Sequence, residues 1–467
     1  MNFEDMVKRA VNHINVNAAV SDKKSPEEMT ILISESIAKA KGRSYDFTSA
    51  QSIILNQNDK KRLVKVFDEF SCENILCHCV KQILDRSFSI KYPNRNKSVR
   101  ALFDIMKAIR QMSDFTIIKF DFKDYFNSVS SIYVFEKYIK DKIKTRFETD
   151  LINAFAVQTR YAYAGLCTSN VISEIIAQQF DEKIKMLFSG SGLLFFERYI
   201  DDSIIVLNKH ISEDRCNEIF VQALTEVYHD AAINVGVKCK TKFNDNKFVY
   251  ISHRALTNSS VRVDYLGYEF IFRLNNDKVE LRCGITEAKR KKYNKRMDEI
   301  IDAYQGMGTV PSEEGDLELL RHRIAAFAQR TVYMSKHFNS SQWKVKGFIA
   351  NYGELRYLTD TTIIDSVSKR FLNNMVDEAF YRAGLPLPYF IKGANGNRGY
   401  NLLENLKYNK TMLFVEHIGI DRNTLEKMCQ KIGIPLTVRS NERNDSQRNK
   451  GYGELVRDYL IKTKVGY

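Results

Sequence analysis

The spacing of apolar positions changes more than once along the chain, and the changes divide it. Up to about Asn58, helical periodicity alternates with polar breaks such as SDKKSPEE, which predicts a small helical extension over residues 1–58. KRLVKVFDEF and NILCHCVKQIL continue the helical spacing, the second with Ile75, Leu76, Cys79, Val80 and Ile83 on or near one apolar face. A basic loop, KYPNRNKSVR, runs from Lys91 to Arg100, and Pro93 stops any helix there. SVRALFDIMKAIRQ resumes helical spacing, and TIIKFDF (Thr116 to Phe122) is a β-branched and aromatic run of the kind that makes a buried strand.

In the middle third, Val171, Ile172, Ile175, Ile176, Phe180, Ile184 and Leu187 recur at three- and four-residue steps and predict a strong helix. The apolar runs GLLFFERY and SIIVLN are separated only by Ile200, Asp201 and Asp202, which predicts a hairpin with acids at its tip. VRVDYLGYEFIF adds a strand pair around Gly267. From EAKRKKYNKRMDEI onward the pattern reads as helical through LELLRHRIAAFAQR and SVSKRFLNNMVDEAFYR to NTLEKMCQKIG, and SNERNDSQRNKGYG is polar enough for a mobile loop. Helices, then mixed elements, then helices suit an α+β fold: a palm-like antiparallel sheet bracketed by helical domains.

Two carboxylates at a hairpin tip repel each other unless a cation or a proton is present, so Asp201 and Asp202 ask for a metal. Asp121, at the end of the other buried strand, supplies a third carboxylate if the strands lie side by side; Asp124 has the same formal claim. Such a set suits two Mg²⁺ ions about 4 Å apart, with Mn²⁺ as a substitute, and phosphoryl transfer to a primer hydroxyl.

Charge points to the partner. A formal charge of +14 and a pI near 9.2 favour a polyanion, nucleic acid before membrane. No apolar run approaches the roughly 18 residues of a membrane span, and the acid-containing opening MNFEDMVKRA does not look like a signal peptide, so a cytoplasmic chain without a membrane partner is expected. Of the eight cysteines, Cys72, Cys77 and Cys79 cluster with His78, but no second pair completes a zinc site and core cysteines are expected.

At this point the chain resembles reverse transcriptases. FDFKDYFNSV looks like their first catalytic motif, with Asp121 in the metal position and Phe126 in the bulky position under the incoming sugar. AGLCTSN is similar to the second, where Gly165 and Ser169 line the template–nucleotide pocket, and RYIDDSIIV matches the third, with Tyr199 beside the primer end. INVGVKCKTKF resembles the fourth, whose lysine is Lys240 or, on another alignment, Lys238; DYLGYEF, around Leu266 and Gly267, looks like the turn that grips the primer. IKYPNRNKSVR stands in the place of the fingers loop, with Lys97 and Arg100 as triphosphate contacts.

The resemblance implies a right-hand polymerase: extension 1–58, fingers 59–115, palm 116–278, helical thumb 279–345 and a helical C-terminal domain 346–467. It implies metal ligands Asp121, Phe122, Asp201 and Asp202, with Tyr125 joining Phe126 at the nucleotide. Deoxynucleotides, an RNA template and a DNA product are the implied partners. The second motif departs from the family, with Tyr163 and Ala164 before Gly165 and Asn170 after Ser169, which puts ordinary template positioning in doubt. No ribonuclease H pattern or endonuclease tail is seen. What remains is similar to bacterial defence-associated and abortive-infection reverse transcriptases, which implies phage defence, a noncoding RNA and a homo-oligomer. Untemplated or protein-primed synthesis is the alternative, and a catalytically silent RNA-binding scaffold is the alternative of another class. Trp343, Tyr352 and Tyr357 are aromatics that could stack bases, with core packing the competing role.

Overall fold

The computed structural model describes residues 2–18, 22–57, 60–305, 314–337, 340–392, 401–436 and 451–463. They form two compact units, Met1–Leu256 and Thr257–Tyr467.

In the first unit, helices α1 (Phe3–Asn17), α2 (Pro26–Gly42) and α3 (Cys72–Phe88) pack on one another. The SDKKSPEE break is a helix start: Ser25 caps α2 reciprocally with Glu28, and Pro26 opens its first turn. Cys72, Cys77 and Cys79 are buried on α3, as the apolar periodicity expects.

Between α2 and α3 the expectation of continuous helix fails. Gln51–Gln57 (β1) and Lys60–Val66 (β2) form an antiparallel hairpin, with Ile54 opposite Leu63 and Ile53 opposite Val64. KRLVKV fits a period of two as well as a helical one, and long-range pairing decides for the strand. The Lys65 amide donates to the Ala164 carbonyl at 2.8 Å, so β2 is also fastened to the loop before Gly165. The basic loop is shorter than expected, because Asn94 caps α4 (Arg95–Ile109) and puts Lys97 and Arg100 in that helix.

The central sheet runs β4-β5-β3-β6, antiparallel throughout: β3 (Thr116–Asp121), β4 (Leu193–Tyr199), β5 (Asp202–Leu207) and β6 (Val249–Ser252). All six residues of β3 are buried, as a central strand requires. Alternation puts Ile118 and Phe120 into one core with helices α5 (Tyr125–Ser128), α6 (Ser131–Val134), α7 (Arg146–Thr159), α8 (Ser169–Phe188) and α9 (Glu213–Tyr228), where Phe120 meets Phe220 at 4.8 Å between ring centres. Ile117, Lys119 and Asp121 fall on the other face.

The second unit begins with the antiparallel sheet β7 (Val261–Tyr265), β8 (Tyr268–Asn275) and β9 (Lys278–Ile285). Helices α10 (Glu287–Gln305), α11 (Glu314–Ala328) and, further on, α12 (Phe348–Tyr352) and α13 (Ser366–Arg382) follow. The region is not helical throughout, contrary to the reading of the thumb and C-terminal stretches. β10 (Arg330–His337) pairs antiparallel with β11 (Ser340–Lys346) and parallel with β12 (Thr411–Phe414). The β-branched and aromatic run Thr331-Val332-Tyr333 suits a strand, and a core around Leu319, Phe414, Leu425, Cys429 and Tyr459 forms near that sheet. Tyr352 is a core residue stacked on Phe348, whereas Trp343 and Tyr357 are exposed. Most of the polar segment near the end lies outside the described residues. Among those described, no helix is long and apolar enough to cross a membrane.

Candidate active site

β3 is antiparallel to β5, and its last residue, Asp121, pairs directly with the first residue of β5, Asp202. Adjacent residues across an antiparallel pair bring their side chains to one face about 5 Å apart at Cβ. Asp201 stands in the two-residue turn before β5, and its carbonyl accepts the Phe122 amide at 3.1 Å. The three carboxylates, 80 residues apart in sequence, thus share one end of the sheet.

Each acid has a distinct environment. Asp121 is 3% exposed and accepts Lys247 Nζ at 2.7 Å, with Asn244 Nδ2 at 3.4 Å on the same oxygen. Asp202 faces the buried Lys119, whose Nζ lies 3.7 Å from its Oδ1. Burial pushes the Asp201 carboxyl above its ordinary value and the Asp121 charge adds to that, while Lys247 and Arg62 pull the other way. Burial also works against Lys247, but its hydrogen bond to Asp121 and the three carboxylate charges hold the ammonium above the ordinary lysine range. Asp124 is set apart: it is exposed, in the left-handed region at φ +48°, and bonded to Asn127.

This arrangement bears directly on a metal. As the side chains stand, no group of three His, Cys, Asp or Glu residues among those described converges on one ion. The lysines take the space: Asp121 turns to Lys247 and Asp202 to Lys119. The donor set nevertheless suits a hard divalent cation, since it consists of carboxylates whose excess negative charge already draws ammonium groups. Asp121, Asp201 and Asp202 are the residues that could hold one.

The strain in Asp201 leads to a stability prediction. Asp201→Asn is expected to raise unfolding free energy by about 1 kcal/mol without divalent ions, the usual scale for relieving a destabilised active-site group. A raised native-state value means that the cost is absent in acid, develops as pH rises from the ordinary carboxylate value to the raised one, and is complete above it. The gain should therefore be seen in urea titrations near neutrality and vanish at low pH.

The other expected residues are distributed as follows. Phe122 is buried, stacked between Tyr125 and Phe243, so only its main chain can serve a ligand. Tyr125 is a core residue whose hydroxyl meets Tyr228 at 2.9 Å and the Ser173 carbonyl at 3.0 Å; it does not line an open pocket. Phe126, next to it, is half-buried, and Tyr199 pairs with Asp202 at the end of β4. Ser169 is buried, its hydroxyl donating to the Tyr163 and Leu166 carbonyls. Gly165 has φ +100°, and the close approach expected there is made by the chain itself: a Cβ would lie 2.4 Å from the Lys65 carbonyl oxygen. Lys240 is exposed, over the Tyr161 ring at 5.1 Å, with its amide bonded to the Ser128 carbonyl at 2.7 Å; Lys238 is exposed too. Lys97 and Arg100 are exposed on α4, a helix packed on β4 where Ser98 Oγ donates to Glu197 at 2.5 Å. Leu266 and Gly267 belong to the second unit, as the two-residue turn between β7 and β8, both with positive φ.

Four basic residues were missed. Lys119 carried a signal, being a lysine two positions before Asp121 inside an otherwise apolar strand. Arg62 and Lys65 were hidden by the helical reading of β2; Lys65 Nζ sits 4.4 Å above the Tyr163 ring. Lys247 ends a one-turn 3-10 helix (Asp245–Lys247) 126 residues beyond Asp121, where nothing local marks it.

No protein-family model and no curated protein matches the chain. Among solved structures it is similar to telomerase from Candida albicans in complex with the TWJ fragment of telomeric RNA, at 10% identity and a TM-score of 0.38, over 90% of this chain and 62% of that one. The chain therefore spans less than two thirds of the telomerase length, and a likeness of that degree carries no argument here.

Proposed function

We propose that this chain is a nucleic-acid polymerase of the reverse-transcriptase type, a nucleotidyltransferase that joins deoxynucleotides on an RNA template. The observation that carries the reading is the register of β3 and β5, which sets Asp121 opposite Asp202 with Asp201 in the adjoining turn. Asp121, Asp201 and Asp202 would hold a pair of magnesium ions, which when bound would supply activation of the primer hydroxyl and neutralisation of the triphosphate. The chain's own residues do the rest. Arg62, whose charge is felt at Asp201, and Lys65 and Lys240, over the neighbouring rings of Tyr163 and Tyr161, offer cations to phosphates. In this reading β1–β2 and α4 are fingers, the four-stranded sheet is the palm and the helices after β9 are thumb. Membership of the defence-associated subgroup, a noncoding RNA partner and a homo-oligomer rest on the resemblance alone, reached mostly by elimination.

Incorporation of labelled deoxynucleotides by the purified chain, with Mg²⁺ or Mn²⁺ and an RNA template, tests the proposal. Phe126, half-buried one residue after Tyr125, is the residue that would meet a ribose 2′-hydroxyl. Phe126→Ala is expected to cut the preference for deoxynucleotides over ribonucleotides about tenfold to hundredfold, read as a ratio of kcat/KM values. An unchanged ratio would return Phe126 to a packing role.

A second reading is untemplated addition by the same acids. Its specific support is that the β2 main chain covers Gly165, the face that an ordinary second motif would offer to a base pair. Sequencing the product separates the two: a complement of the supplied RNA supports templated copying, and a random or biased tract supports addition.

A further inference from the structure

The residue before the acid pair has a conformation that its side chain resists. Ile200 is the first of two residues between Tyr199 and Asp202, and its φ is +62°. That position in a two-residue hairpin turn favours glycine, because a branched Cβ crowds the backbone there. A strained turn persists only where its surroundings over-determine it.

The surroundings are unusually directional. Arg198, two residues earlier on β4, is 5% exposed and donates Nη1 to the Ile200 carbonyl at 3.0 Å. The rest of its guanidinium is fixed from the other side. Nη2 and Nη1 reach the Glu174 carboxylate at 2.9 and 3.1 Å, and Nε and Nη2 reach that of Asp181 at 2.8 and 2.9 Å. Glu174 and Asp181 are seven residues apart on α8, two turns along one face of the longest helix in the first unit. Burial works against the guanidinium charge, but the two carboxylates outweigh it and hold Arg198 protonated. A buried group of three charges is a poor source of net stability compared with apolar packing, so its distinctive property is direction. A guanidinium with all three nitrogens engaged aims its remaining donor along one line, and that line ends on the strained turn.

We propose that Arg198, clamped by Glu174 and Asp181, is a positioning residue that braces the Ile200 carbonyl and so keeps the turn in the one conformation that presents Asp201 and Asp202 together. The catalytic meaning of this brace rests on the polymerase reading; the brace itself does not.

The test uses the full chain. Arg198→Met alone would strand a buried and a partly buried carboxylate and endanger folding, so the informative variant is the neutral triple Arg198→Met/Glu174→Gln/Asp181→Asn. Amide exchange at residues 199–203 is expected to speed up by about tenfold or more while β3 keeps its protection. Mn²⁺ binding, followed by electron paramagnetic resonance, should weaken by about tenfold. Adding Ile200→Gly to the triple variant should return both readouts to within about threefold of wild type, because glycine holds a positive φ without a brace. Two results would overturn the proposal: unchanged exchange at 199–203 in the triple variant, or faster exchange there that Ile200→Gly fails to reverse. If exchange and rescue behave as expected but the wild-type chain incorporates no nucleotide under any template condition, the brace stands and the polymerase reading falls.

Discussion

Replacing Asp201 and Asp202 together by alanine is expected to reduce deoxynucleotide incorporation by at least about a thousandfold, the scale on which transition-state charge stabilisation is lost when preorganised groups are removed. The loss should come from chemistry rather than from unfolding. β4 and β5 pair through their main chains, and the register from Phe195–Val206 to Tyr199–Asp202 does not depend on the acidic side chains. The two substitutions also act in opposite directions on stability. Removing Asp201 relieves a carboxyl that burial and Asp121 disfavour, while removing Asp202 takes a partner from the buried Lys119. Each effect is about 1–2 kcal/mol, so the melting temperature should stay within a few degrees of wild type. Paired measurements of incorporation and thermal unfolding check this. A folded double variant that still extends a primer would remove the acids from the chemistry and the polymerase reading with them.

The acid cluster was legible in the sequence because two buried strands and a two-residue tip constrain it locally. TIIKFDF is too apolar to be anything but an interior strand, and GLLFFERY and SIIVLN stand too close together to be anything but a hairpin. What escaped was set by contacts between distant segments. In KRLVKVFDEF, Leu63, Val64, Phe67 and Phe70 suit a helix, and Arg62, Val64 and Val66 suit a strand equally well. Pairing with β1 and the Lys65–Ala164 hydrogen bond settle it, and neither leaves a mark in the local spacing. The same holds for β10, whose parallel partner β12 is some 80 residues further on. The lysines tell a related story. The sequence shows an excess of positive charge but not that Lys247 and Lys119 would be the ones facing Asp121 and Asp202.

The β1–β2 hairpin is packed against the loop that carries Gly165, and Gly165→Ala should loosen it. Gly165 has φ +100°, and its added Cβ would lie 2.4 Å from the Lys65 carbonyl oxygen and 3.3 Å from the Lys65 nitrogen and carbonyl carbon. All three are backbone atoms of a paired strand, so they cannot move aside as the end of a flexible side chain would. Among the described residues β1 and β2 pair only with each other, and the Lys65–Ala164 hydrogen bond fastens the strand to the loop before α8. The substitution should therefore cost about 2–3 kcal/mol, combining backbone strain with steric overlap. It should also free Lys65 from its place over Tyr163 and Arg62 from the strand that holds its charge within reach of Asp201, raising the KM for deoxynucleotides by roughly tenfold to hundredfold, as the loss of a charge-assisted contact does. Gly190→Ala is the control, since its Cβ meets nothing within 4 Å. Limited trypsin digestion reads the hairpin directly, because a freed β2 exposes Lys61, Arg62 and Lys65 to cleavage. Should the hairpin stay resistant and KM stay unchanged in Gly165→Ala, the close packing of β2 on this loop would have no part in nucleotide binding.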